Sequence, residues 1–169
     1  MSFDPAILLA DEFETWFRNL AAQGELPRAF TGVTQAGGQA VVVLSGLPLN
    51  HVQRREFLIW LCREEQFNAY AYGSHVAIAA DPKTPTISEA LDIYASSDLY
   101  DVSRTLGIER SSDGTHRFRE RHRAVLPAGP DNGLFFGLNR AIANISPTDQ
   151  ELFSSIWNDL NSKAMWRQR

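Results

Sequence analysis

Between Asp4 and Gly24 apolar side chains return every three or four residues, with Leu9, Phe13, Trp16, Phe17 and Leu20 on one face. That spacing predicts an amphipathic helix. Asp4 stands at the N-cap position, and Pro5 opens the first turn, where its missing N–H costs nothing. Gly24 is the expected stop. Glu14 and Arg18 make an i,i+4 pair on the outer side.

The pattern then shortens. Arg28 to Gln35 and Gln39 to Ser45 read as two strands joined by Ala36-Gly37-Gly38. Ala40 to Leu44 is unbroken by polar residues, so the second strand is expected to be central and buried on both faces. Helical spacing returns from Asn50 to Glu65, where Asn50 and Gln53 form a capping pair and Phe57, Leu58, Leu61 and Cys62 form the inner stripe. Glu64 and Glu65 fall at the end of the helix that disfavours negative charge.

Phe67 to Tyr72 and His75 to Ala79 alternate around Gly73-Ser74, which suits a type II′ hairpin turn. Asp81 to Pro85 reads as a loop and Leu91 to Ala95 as a short strand. Val102 to Arg110 and Thr115 to Val125 form the clearest hairpin. A three-residue loop, Ser112-Asp113-Gly114, pairs Ser111 with Thr115, Glu109 with Arg117, Ile108 with Phe118 and Val102 with Ala124. After a loop from Leu126 to Gly133, Leu134, Phe135, Leu138 and Ile142 predict a helix despite Gly137. Ser146-Pro147 opens a last helix with Leu152, Phe153, Ile156 and Leu160 inward, and the tail from Trp166 is expected to fray.

The resulting order, α-ββ-α-ββ-β-ββ-αα, predicts one α+β domain over residues 1–169. Its sheet is mainly antiparallel and hairpin-rich, with helices packed over one face. The second strand, its following helix and the third strand are expected to form one crossover.

Composition narrows the class without naming an activity. A hydrophobic share of 44% and a charged share of 21% suit a folded domain of 169 residues. The single cysteine, Cys62, rules out an intrachain disulfide and points to a soluble protein of the reducing cytoplasm. The first residues lack the basic and apolar regions of an export signal, and no apolar run approaches membrane-spanning length, so no membrane association is expected. Net charge is −4, but it is uneven: residues 1–101 hold 6 basic and 13 acidic side chains, residues 102–169 hold 10 and 7.

That basic half contains the sharpest motif, Arg117, Arg119, Arg121 and Arg123, alternating with Phe118, Glu120, His122 and Ala124. In a strand, period-two spacing sends all four guanidinium groups to one side, about 6.8 Å apart. Arg104 and Arg110 then fall on the other side. Arginine's planar fork suits carboxylate or phosphate. The expectation is a non-enzymatic interaction module that uses this hairpin to bind a protein partner, or self-associates as a homodimer. The competing plain reading is a solvated strand face that guards a sheet edge. Nucleic acid is the weaker choice of anion, since no helix-turn-helix, zinc or RNA-recognition pattern appears.

Catalytic candidates are thin. His75 with Asp81, Asp92 or Glu65 would serve a small, metal-dependent or metal-free enzyme, the runner-up reading. His116 and His122 are expected on a shared strand face, and His51 at the start of the second helix. Cys62, on an apolar stripe, has the setting of an inert structural thiol. Asp92, Asp98 and Asp101 could form a carboxylate cluster, though turn formation and solvation explain them more cheaply. Neither a metal-ligand spacing nor a phosphate-loop pattern is present, so no metal and no cofactor are expected.

Overall fold

The computed structural model describes residues 4–23, 26–78, 88–114 and 116–169. Its elements are α1 (Pro5–Ala22), β1 (Ala29–Thr34), β2 (Gly38–Val43), α2 (His51–Glu64), β3 (Phe67–Ile78), β4 (Ser88–Ser96), β5 (Tyr100–Arg110), β6 (His116–Pro127), α3 (Pro147–Lys163) and β7 (Met165–Gln168). All seven strands form one sheet in the order β6-β5-β4-β3-β1-β2-β7, and every pairing is antiparallel. This is the α+β class with an antiparallel sheet that the sequence predicts. No helix is long and apolar enough to cross a membrane among the described residues.

The helix starts follow local chemistry. Asp4 Oδ1 accepts the Ala6 N–H at 2.8 Å, and Ser146 Oγ accepts the Asp149 N–H at 3.1 Å. Asn50 and Gln53 form a complete capping box, with bonds of 2.8 and 3.1 Å in the two directions. Asn50→Ala removes half of it and is expected to cost about 1 kcal/mol. Chemical denaturation checks this: an unmoved midpoint would mean the box does not hold the helix start. The expected stop at Gly24 lies outside the described residues, as do Thr115 and the loop from Asp81 to Pro85.

Helices lie on both faces of the sheet, not on one. Strand alternation causes this, because β3 sends Ala69 and Ala71 to one side and Tyr70 and Tyr72 to the other. Leu9, Phe13 and Phe17 of α1 pack with Ala69, Ala71, Leu91, Ile93 and Leu106. On the opposite face Phe57, Leu58 and Leu61 of α2 and Phe153, Trp157 and Leu160 of α3 enclose Phe30, Val42, Tyr70 and Tyr72. β2 and β3 both pair with β1, so they run the same way and α2 carries the chain between them over β1.

Four local expectations change. Gly73-Ser74 forms no turn; β3 runs straight through it, pairing with β1 and β4 together. A Cβ on Gly73 would meet Phe17 Cε2 at 2.3 Å, so this glycine admits the α1 aromatic to the sheet. Residues 128–146 form turns instead of a helix: Gly137 takes a left-handed φ of +66° and its N–H donates to Ser96 Oγ at 2.9 Å. The tail does not fray but forms β7, and Arg167 and Arg169 reach Glu12 on α1 at 3.1 and 2.7 Å. β2 is therefore next to the last strand, and Val43 at its end is 49% exposed.

Candidate functional site

The basic hairpin is built from β5 and β6, and β6 is an edge of the sheet. Its turn forms as the sequence requires. Gly114 adopts φ +86° and donates its N–H to Ser111 O at 3.1 Å. Arg110 then faces His116, Glu109 faces Arg117 and Ile108 faces Phe118.

The register slips once. Leu106 faces Glu120 while Thr105 faces His122, so Arg121 is the extra residue of a β-bulge. Val102 consequently faces Val125, not Ala124. A one-residue slip exchanges the faces beyond it. Arg117 and Arg119 point away from α1. Arg121 folds across Gly107 on that same side, its Nε 2.6 Å from where a Cβ on Gly107 would stand. Arg123 crosses to the α1 side, opposite Arg104. The four-arginine row is thus three on one face and one on the other. The bulge likewise separates His116, opposite Arg110, from His122, opposite Thr105.

The two faces have opposite electrostatics. On the α1 side, Arg104 is only 3% exposed and its Nη2 lies 2.6 Å from Asp11 Oδ1, with Glu14 at 3.9 Å from Nη1. Arg123 bonds Glu120 and reaches Glu14 Oε1 at 3.4 Å. Its hydrogen bond holds the Glu120 carboxyl below the usual range, and Glu120 in turn raises the Arg123 guanidinium. Two opposed arginines are tolerated there because α1 supplies carboxylates. On the far side Arg117, Arg119 and Arg121 are exposed, and none has a carboxylate within 4 Å among the described residues.

The other candidates separate. His75 Nε2 lies 3.2 Å from Glu89 Oε1, a carboxylate the sequence did not single out. Arg110 Nη2 holds the same oxygen at 2.6 Å, and that bond keeps the Glu89 carboxyl below its ordinary range. Cys62 is buried, and burial pushes its thiol up, away from thiolate chemistry. Asp98 is exposed, Asp92 accepts from Thr105 Oγ1 at 2.9 Å, and Asp101 is fully buried elsewhere. Among the described residues no three His, Cys, Asp or Glu side chains are grouped to hold a metal.

Asp101 is legible in the sequence as a turn residue or as part of a carboxylate cluster, yet it organises the segment after β6. It accepts from Ser96 Oγ at 2.7 Å, Asn132 Nδ2 at 2.7 Å and Arg140 Nη2 at 2.8 Å. Tyr70 donates to Phe135 O and accepts the Leu138 N–H at 3.3 Å. Burial raises the Tyr70 phenol, so it stays a donor. Apart from Ser96, these partners are distant in sequence, and no local pattern signals them.

Comparison with protein-family models, with curated proteins and with solved structures gave no match to this chain.

Proposed function

We propose that this chain is a non-enzymatic interaction module whose β6 edge docks an acidic protein surface through Arg117, Arg119 and Arg121. The observation that carries the reading is the contrast across one strand. Arg123, though exposed, is paired with Glu14 and Glu120, whereas the three arginines on the far face have no internal anion among the described residues. Guanidinium forks favour bidentate carboxylate partners. A second copy joined edge to edge at β6 would set arginine rows against each other, which like-charge repulsion opposes. The short β7 edge, where Met165 and Trp166 are exposed, is the better place for self-association. A reducing cytoplasm suits a protein whose sole cysteine is buried.

Titration with poly-glutamate, and with an acidic partner recovered from nuclease-treated host extract, tests this. Replacing Arg117, Arg119 and Arg121 together by glutamine is expected to weaken binding by about tenfold or more, at up to ~1 kcal/mol per exposed charge. Raising salt should weaken the wild type similarly. Arg123→Gln should change affinity little, because its charge is already spent on Glu14 and Glu120. Unchanged affinity in the triple variant rejects the module reading. Binding to a single-stranded oligonucleotide in place of both acidic probes would favour the nucleic-acid reading. The enzyme reading, with His75 and a carboxylate, is supported by the 3.2 Å contact to Glu89 and by one cavity that both His75 and Asp92 line.

A further inference from the structure

A small cavity of about 180 Å³ opens on the face away from α1, where the first turn of α2 meets β1, β3 and β4. Tyr72 lines it. That side chain is 1% exposed and its hydroxyl is buried without a hydrogen-bond partner among the described residues. Buried hydroxyls are nearly always bonded, and leaving one unmade is costly. Ser74 and Tyr94 add hydroxyls, and Phe135 forms an apolar wall, stacked on Tyr72 with centroids 4.9 Å apart.

The cations around this cavity are not used up. Arg28 Nε sits 3.5 Å from Ser74 Oγ, and Arg54 Nη2 donates to Leu49 O at 3.3 Å. Neither has a carboxylate within 4 Å among the described residues. His51 and His75 also line it, His51 edge-on to Phe135 at 5.0 Å and His75 3.2 Å from Glu89. His51 and Arg54 stand in the first turn of α2, which holds no acidic residue, although a helix N-terminus favours negative charge. Positive dipole end, two guanidinium groups and an unpaired hydroxyl therefore converge on one space. The single carboxylate lining it among the described residues, Asp92, accepts from Thr105 at 2.9 Å and from Tyr94 at 3.3 Å. Each carboxylate oxygen has two lone pairs, so Asp92 can accept one more donor. Burial, then Asp92, pushes the Tyr94 phenol up to about 12, so it remains protonated.

We propose that this cavity binds a small organic acid that also carries a hydroxyl or amino group. Its carboxylate lies between Arg28 and Arg54 and takes the Tyr72 hydroxyl proton as a hydrogen bond. Its own donor faces Asp92. The volume is below the ~300–1,000 Å³ of sites for drug-sized ligands, which sets the size class. The site is two strands from β6 and is independent of the arginine edge.

Calorimetric titration of the full chain with glycolate, L-lactate, glycine, L-serine, acetate and inorganic phosphate tests it. Saturable binding of a hydroxy or amino acid, tighter than acetate, is the expected result. Arg28→Gln or Arg54→Gln should weaken it by about tenfold or more. Tyr72→Phe is the diagnostic variant. It should weaken binding several-fold yet leave the ligand-free melting temperature unchanged or raised, because the hydroxyl has no partner to lose. The proposal is overturned if none of the acids saturates by about 10 mM, well past a 1 mM dissociation constant. It is also overturned if phosphate alone binds, if both arginine variants bind normally, or if Tyr72→Phe lowers the melting temperature.

Discussion

Asp101→Ala is expected to destabilise the protein by roughly 3 kcal/mol, because one deletion strands a cation and two neutral donors. The carboxylate is fully buried and holds Ser96, Asn132 and Arg140. Arg140 is partly exposed, so water recovers some of the loss; Ser96 recovers none, being buried itself. The segment 128–146 loses its anchor as well as the ion pair. Urea denaturation should show the shifted midpoint, and limited proteolysis should cut that segment first. Asp101→Asn keeps an acceptor but not the charge, and should fall between. If Asp101→Ala stays within about 0.5 kcal/mol of the wild type, the network does not hold this segment.

The second large effect concerns Gly73. Gly73→Ala places a carbon 2.3 Å from Phe17, which is fully buried and ringed by Phe13 and Trp16. Overpacking of this kind costs about 1–3 kcal/mol, and the upper end is expected because both neighbours are fixed. Phe17→Leu vacates the contested space, so the double variant should lose less than the two single losses combined. Additive losses would show that α1 relieves the clash by shifting as a whole.

Gly73 also shows where sequence reading stops. A glycine before a serine between alternating segments has the form of a turn, and only the packing of α1 against β3 reveals it as a place of close approach. Gly137 misled in the opposite sense, since the apolar spacing around it is helical while its backbone is left-handed. Local signals are legible where they are self-contained. Asp4-Pro5, Asn50 with Gln53, and Ser146-Pro147 carry their own hydrogen-bond partners, and Gly114 carries its own turn. The arginine row was legible as an alternation but not as a geometry. Nothing in the pattern 117–123 marks Arg121 as the residue that slips, because the slip is set by the pairing with β5. Tyr72 and Asp101 are silent for a related reason: Phe135, which stacks on Tyr72, and Asn132 and Arg140, which bond Asp101, lie far away along the chain.

The pairing of β7 with β2 has a consequence for synthesis. Gly38 is matched with Gln168, so the outer side of β2 waits for a partner 130 residues further along the chain. At about 5–20 residues per second, translation leaves that apolar border uncovered for roughly 6–25 s. A nascent chain stalled before Met165 would offer neighbouring polypeptides a ready template, and its yield should depend on chaperone supply far more than that of the finished molecule.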